Sequence, residues 1–436
     1  MEKPKKPKKP KTGQDKEHKD GEWRERKASY QEKWATPADV RTFLDGAALL
    51  RYNVISQCVE TTELDDQLRS TGRWIPLDDR RENTLYQEMY ALKPVQQSMM
   101  HAVINSEYVP EYNPFEFYLS RLPRWNQRDD FLMELSLSVN VKGDADEQIL
   151  FYQCLKKWLV GMVAGWLNPE VVNHQILVFI GQQGAYKTTW FNYLLPPELR
   201  RYFYTKTNAT RMDKDDRLKL TQYGLVCCEE LDTMSGRELN QLKAAVTMPA
   251  VDERPAFHHY VEHRHHIASF CGTGNNAQFL SDTTGNRRWL PFEVENIVSP
   301  REQPFNYEGI YKQAYWLYQN GFQYWFSANE LERLSRHNQS YETPKTEEEL
   351  VLLFFRKPYS HEADAFMPVG RALQILSGYS SVKLSVVKLG QAFRKLGFEQ
   401  KRCAAANGYK AIVRPMAEVE QFQKQLGTVE GGGTFP

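Results

Sequence analysis

The chain has 436 residues, 41% hydrophobic and 13% aromatic, which suffices for roughly two to four packed domains and excludes a disordered polymer. Its 56 Lys and Arg balance 55 Asp and Glu for a net charge of +1, so it is neither uniformly basic nor uniformly acidic, and any patch must be read from the distribution. Six cysteines without CxxC spacing exclude a disulfide framework and a cysteine zinc site. They predict a reducing, cytoplasmic setting, in line with the lack of an apolar run long enough to span a membrane and of an N-terminal signal core.

Residues 1–30 begin Met1-Glu2-Lys3-Pro4-Lys5-Lys6-Pro7 and continue Lys/Pro-rich. Such a segment buries too little apolar surface to offset its ordering entropy, so a disordered basic arm is expected, either loosely attached to nucleic acid or simply solubilising. Residues 31–110 are predicted mainly helical. Thr36-Pro37-Ala38-Asp39 reads as a helix start, and Val40, Phe43, Leu44 and Ala47 recur at helical spacing. Residues 111–170 continue helical. There Asn113-Pro114-Phe115 opens a capped helix, and Ile149–Trp166 is amphipathic, with Leu155, Trp158, Leu159 and Met162 on one face. It ends at Asn168-Pro169 and is expected to lie as a lid over the sheet that follows.

Residues 171–326 are predicted to be an α/β core. The apolar run Ile176–Ile180 reads as a buried strand. It is followed by Gly181-Gln182-Gln183-Gly184-Ala185-Tyr186-Lys187-Thr188-Thr189 and a helical pattern, the layout of a phosphate-binding loop, in which backbone N–H groups and a lysine meet a polyphosphate and a hydroxyl holds Mg²⁺. Gly181, Gly184, Lys187, Thr188 and Thr189 are the candidate ATP-binding residues. The common pattern GxxxxGK[ST] has glycine before the lysine; here that residue is Tyr186, so the loop must bend differently around Gly184 or bind nucleotide less well. Next, Leu225–Cys228 is an apolar strand that leads to Glu229-Glu230-Leu231-Asp232. Glu229 is assigned to Mg²⁺ and Glu230 to the attacking water, with Asp232 a competing base because strand alternation would put it on the face of Glu230. Another apolar strand, Ile267–Thr273, ends in Asn275 and Asn276, either of which could orient the water. Thr284-Gly285-Asn286-Arg287-Arg288 then offers Arg287 or Arg288 as an arginine finger.

Between those strands lie Lys243 and the segment from His258 and His259 to Arg264, His265 and His266. The histidines lack metal-ligand spacing. Basic and aromatic residues on a hairpin suit a loop that tracks single-stranded DNA. Residues 327–345 are polar and linker-like. Residues 346–416 give three helical patterns (Glu347–Phe355, Val369–Leu376, Leu384–Leu396) and two short strands flanking Asn407-Gly408, a hairpin-turn signal. This is the make-up of a winged-helix domain, and Lys388, Arg394 and Lys401 are its candidate DNA contacts. Residues 417–436, with Gly431-Gly432-Gly433, are expected to be a flexible tail.

In their order along the chain, Gly181–Phe191, Leu242-Lys243-Ala244 to Arg254, and Thr284–Arg288 resemble the virulence-associated E family of P-loop proteins, which is itself similar to superfamily 3 helicases and to the helicase part of phage primase-helicases. The resemblance covers roughly residues 110–300. It implies an AAA+-like, homo-oligomeric, hexameric ring ATPase acting on single-stranded or forked DNA, with a separate chain as any primase. It places Lys187 and Thr188 on ATP, Glu229 and Glu230 on Mg²⁺ and water, and Arg287 or Arg288 on a neighbour's nucleotide. Lys243, His258, His259 and Arg264 would face the DNA channel. An ATP-driven DNA helicase or translocase for replication of a mobile element, a DNA-stimulated ATPase without unwinding, and a nucleotide-gated DNA-binding protein are all compatible with these residues.

Overall fold

A computed structural model describes residues 34–421, apart from 65–66, 68, 207–213, 254–260, 281–285, 344–345, 360–364, 381–382 and 404–405. The expected basic arm, His258, His259 and most of the expected tail lie outside the described residues. The fold is mixed α/β. Among the described residues no helix is long and apolar enough to cross a membrane.

Helix α1 (Pro37–Ala47) begins at a capping box. Thr36 Oγ1 accepts from the Asp39 N–H at 3.3 Å, and the Asp39 carboxylate accepts from the Thr36 N–H at 2.7 Å. Beyond it the expectation of a mainly helical segment holds from Asp79 to Ile104 and fails over residues 50–76. Strands β1 (Leu50–Asn53), β2 (Cys58–Leu64) and β3 (Ser70–Pro76) precede α2 (Asp79–Leu92) and α3 (Gln97–Ile104), and β4 (Glu111–Tyr112) completes a sheet of order β3-β2-β1-β4. Cys58-Val59-Glu60-Thr61-Thr62 is rich in β-branched residues but buried on both faces from Val59 to Thr62, so it shows no apolar alternation, and Glu60 within it reads as polar. Glu60 is fully buried, and it accepts from Arg51 Nε at 2.8 Å, from Asn53 Nδ2 at 2.7 Å and from Arg201 Nη2. Asn53 Nδ2 also donates to the Tyr202 hydroxyl at 2.6 Å, and the Arg51 guanidinium lies 3.5 Å from the ring centre of Tyr112 and 4.0 Å from that of Trp74. A buried carboxylate is tolerated when it is paired and fully hydrogen-bonded in this way.

Helices α4 (Pro114–Ser120) and α5 (Phe131–Leu137) and strand β5 (Val139–Val141) lead to α6 (Ala145–Leu167). Helix α6 is a core helix, not a lid. It is buried on every side from Trp158 to Trp166, and the indole N–H groups of Trp158 and Trp166 donate to Phe270 O and Gly224 O, both at 3.0 Å. Two tryptophans whose polar ends find partners inside the molecule anchor it to the sheet.

The central elements are β6 (Ile176–Ile180), α7 (Lys187–Leu194), β7 (Phe203–Lys206), α8 (Lys214–Gln222), β8 (Leu225–Cys228), α9 (Gly236–Val246), the β9 (Ala250–Glu253) and β10 (Glu262–His265) ribbon, β11 (Ser269–Gly274) and β12 (Trp289–Ile297). They form a sheet of order β5-β12-β6-β11-β8-β7, parallel from β12 to β7, with β5 antiparallel at the edge. From β6 the chain runs to the β7 edge, returns through β8 and β11, and crosses β6 to reach β12. The reversal falls at the carboxyl end of β6, where open α/β sheets form a ligand crevice.

Helix α10 (Tyr307–Gln319) and the aromatic segment with Phe322, Tyr324 and Phe326 pack back on this core. The expected linker at 327–345 is instead helix α11 (Ala328–Asn338), with Leu334 buried. Its start is a capping box, with Ser327 N–H donating to Glu330 Oε2 at 2.7 Å and Ser327 Oγ accepting from the Glu330 N–H at 3.4 Å.

The C-terminal unit contains α12 (Thr346–Phe354), β13 (Phe355–Arg356), β14 (Met367–Pro368), α13 (Val369–Ser377), α14 (Val386–Lys395), β15 (Gln400–Cys403), β16 (Ala406–Tyr409) and β17 (Ile412–Val413) around Val351, Ala372, Leu376, Leu389 and Phe393. The expected turn at Asn407-Gly408 is displaced. Cys403 pairs with Ala406, so Asn407 and Gly408 lie inside β16. Gly408 is there for space: a Cβ would stand 2.4 Å from Met367 O on β14. Val419, in the expected flexible tail, is buried in this core.

Candidate functional site

The loop between β6 and α7 is set by two backbone constraints. At Gly181 a Cβ would stand 2.8 Å from Val294 O, and its N–H donates to Gly274 O at 3.2 Å. Tyr186 sits in the left-handed region at φ 57°, ψ 16°, a conformation that costs a non-glycine residue roughly 1 kcal/mol. Its side chain is 44% exposed, so little burial offsets this strain. Tyrosine here adopts the backbone shape that glycine would supply, and α7 begins at the next residue without a side-chain cap.

Lys187, in the first turn of α7, is buried. Its Nζ donates to Gly181 O at 2.6 Å and Gln182 O at 2.8 Å and lies 3.4 Å from Asn275 Oδ1. Burial pushes its pKa below the usual lysine value, opposed by the Asp232 charge. Thr188 Oγ1 donates to Glu229 Oε1 at 2.7 Å, which joins the first turn of α7 to the end of β8. Thr189 and Glu230 border the same open cleft of about 480 Å³, floored by Thr273, Gly274 and Asn275.

The two other acidic residues do not share a strand face. Strand β8 stops at Cys228. Glu230 takes φ 54° and starts a single 3-10 turn, Leu231–Thr233. Leu231 is thereby buried against Gly272, where a Cβ would meet its Cδ1 at 2.3 Å. Glu230 is exposed at the border of the open cleft. Asp232 instead accepts the backbone N–H groups of Asn275 and Asn276, each at 3.1 Å. Asn275 is thus held beside Lys187, while Asn276 Oδ1 turns back to the Gln278 N–H at 2.9 Å. The anchoring role of Asp232 was not read from the sequence; the glycines at 272 and 274, which mark close backbone approach within a strand, were the available signal.

Arg287 and Arg288 form a 3-10 turn before β12, at the opposite end of the sheet. Trp289 pairs with Ile176, the first residue of β6, whereas the loop follows Ile180; at the strand rise this separates the two places by about 13 Å. The arginines line a second cleft of about 240 Å³ with His174, Gln175 and Trp325. Among the described residues neither makes an ion pair. Arg288 has its pKa lowered by burial and then by Arg287.

Two expected DNA contacts are not presented to solvent. Lys243 is buried on the flank of α9, whose Leu239, Leu242 and Val246 pack on the sheet, and Arg264 is buried on β10 with its guanidinium bound to Glu262 at 2.6 Å. Lys388 and Arg394 are exposed on α14, and Lys401 is half-buried on β15.

His266 is buried beside Phe270, with Nδ1 2.7 Å from Met248 O, and burial lowers its pKa to about 4. The unfolded chain, titrating near 6.5, binds the extra proton first. Its contribution is therefore fully present above pH 6.5 and is lost as pH falls toward 4, on the order of 3 kcal/mol. Denaturant unfolding across pH 4–7 should show this loss, and His266→Phe should lessen the slope without abolishing it, since burial also lowers His337 to about 4; an unchanged slope would remove His266 as a source.

The elements so far define a mixed α/β protein with a crevice at the reversal of its main sheet. The chain belongs to the family of the virulence-associated protein E-like domain, which it matches over residues 124–343, about half its length. The resemblance read from the order of the motifs holds. Among solved structures it is similar to the apo NrS-1 C-terminal region (305-718), at 12% identity and a TM-score of 0.47, over 86% of this chain and 98% of that one. A second structure of that region, its A form, gives 12% identity and a TM-score of 0.46, over 86% and 99%. No curated protein matches.

Proposed function

We propose that this chain is a P-loop ATPase of the AAA+-like, superfamily 3 type that drives a DNA helicase or translocase in the replication of a phage or mobile element. The observation that carries this reading is the convergence on one cleft of the Lys187 ammonium, the Thr188–Glu229 pair and the Asp232-anchored Asn275. The residues fit ATP with Mg²⁺. An uncapped helix start and a buried ammonium suit a polyphosphate, and a hydroxyl beside a carboxylate is a hard-oxygen pair suited to Mg²⁺. Gly181, Gly184, Lys187 and Thr189 would hold the phosphates, and Thr188 and Glu229 the metal, which supplies neutralisation of phosphate charge. Glu230 takes the proton of the attacking water, and Asn275 orients it. Arg287 and Arg288 serve the site of an adjacent copy in a homo-oligomer, with a hexameric ring the family's arrangement. The C-terminal unit is a winged helix that contacts DNA through Lys388, Arg394 and Lys401. Any primase is a separate chain.

Glu230→Gln should leave ATP binding intact and slow hydrolysis roughly 10²–10⁴-fold, the usual contribution of a positioned base. Asp232→Asn should instead destabilise the Asn275 loop and cost less turnover, since an amide oxygen still accepts an N–H; the reverse ranking would reassign the base.

A second reading, a nucleotide-gated DNA-binding protein with little turnover, draws on the strained Tyr186 at the mouth of the cleft. ATP hydrolysis by the full chain, with and without single-stranded DNA, followed by unwinding of a forked duplex, separates the two. DNA-stimulated turnover with strand separation supports the motor. ATP binding without turnover under any DNA condition supports the gated binder.

A further inference from the structure

The outward face of α14 carries more than positive charge. Val386 and Val387 are 48% and 70% exposed at its first turn, while Leu389, Ala392 and Phe393 do its packing. Val387, Gln391 and Arg394 recur at i, i+4 and i+7 and form one exposed stripe, with exposed Lys388 beside it. No carboxylate stands on that stripe. Glu342 and Glu348, at the far end of the helix, are both taken by Lys395 at 3.3 and 2.9 Å, and Glu399 is taken by Lys410 at 2.6 Å. A three-helix core with the β15–β16 strand pair holds this stripe outward.

We infer that this stripe reads base edges in the major groove of duplex DNA, so that the C-terminal unit selects a sequence as well as binding phosphates; this rests on the reading of that unit as a DNA contact. The chemistry matches position by position. Valine methyls suit the thymine methyl, a glutamine amide suits adenine N6 and N7, and a guanidinium suits guanine O6 and N7. Lys388 and Lys383, both exposed, lie where phosphates flank a helix in the groove. A surface for single strands would be expected to offer aromatic rings for base stacking, and the exposed positions of α14 carry none. The occupant is therefore a duplex, and the chain would recognise a defined site in paired DNA before its ATP cleft acts.

The test is selection from a randomised duplex library by the full chain without nucleotide, followed by titration of the enriched and a scrambled duplex. A consensus should emerge. Gln391→Ala and Arg394→Ala should each relax one position and reduce the preference for the consensus by roughly 5- to 150-fold, and Val387→Ser, which removes both methyls, should relax a third by less; at exposed positions these changes should leave the fold intact, which thermal melts check. Lys388→Ala should weaken both duplexes alike and lower the salt slope by about 1. Duplex binding with no enriched position overturns base reading and leaves the general DNA contact standing. A consensus unaffected by all three substitutions also overturns the assignment to α14. No duplex binding even at low salt removes this inference together with the DNA-contact reading it rests on.

Discussion

Lys187→Ala should reduce ATP hydrolysis to background, a loss of at least roughly 10³-fold, whether or not DNA is present. The cleft is electrostatically one-sided: among the described residues Lys187 is the cation of its lining, while Glu229 and Glu230 border it and Asp232 stands behind Asn275. Without the ammonium, a triphosphate would meet carboxylates with no side-chain cation of the cleft lining to oppose them. The cost to folding should be small, about 1 kcal/mol, because the carbonyls of Gly181 and Gln182 that Lys187 now engages lie on the cleft-side loop, where water can replace it. Phosphate release beside a thermal melt separates the two effects. Full turnover in a folded Lys187→Ala protein would sink the site; a lost fold would show that the lysine is structural.

The second large effect concerns Arg287 and Arg288. Changing both to alanine should cost about 10³-fold or more in turnover, as loss of an arginine finger does. Because they sit at the opposite end of the sheet from Lys187, they cannot serve their own chain's cleft. Mixing the double variant with Lys187→Ala protein should therefore restore activity that neither has alone. In a head-to-tail assembly, roughly a quarter of randomly formed interfaces would join an intact lysine to intact arginines. A mixture as inactive as its parts would refute the assignment in trans, and full activity of the double variant would remove the arginines from the reaction.

The sequence made the cleft more legible than its surroundings. A five-residue apolar strand, two glycines and Lys-Thr-Thr carry local signals that tertiary context does not override, and the structure places Lys187, Thr188, Glu229 and Asn275 together. What was hidden depended on long-range partners. Strand β2 was obscured because its buried Glu60 counts as polar until Arg51 and Arg201 are seen around it. Helix α11 was obscured by an overall polar composition, although Ser327 and Glu330 spelled out its start. Asn407-Gly408 was mistaken for a turn because a glycine needed for close strand approach looks the same in sequence as one needed for a positive φ. Asp232 competes with Glu230 as the base only if strand alternation is carried past Cys228, beyond the turn that the structure makes at Glu230.

The carboxylate of Glu60 also bears on how this protein can be divided. The family match begins at residue 124, and a fragment cut there would be the natural first choice for isolating the cleft. Yet Arg201 and Tyr202, at the β7 edge, find their partners in Glu60 and Asn53. Phe115 stacks on Trp166 with ring centres 4.5 Å apart and fills the space opposite Gly224. Such a fragment would keep every residue of the cleft and lose the buttress of its outer strand. The border of shared ancestry and the border of the folding unit lie more than seventy residues apart, and a shortened chain that retains the cleft should begin before β1.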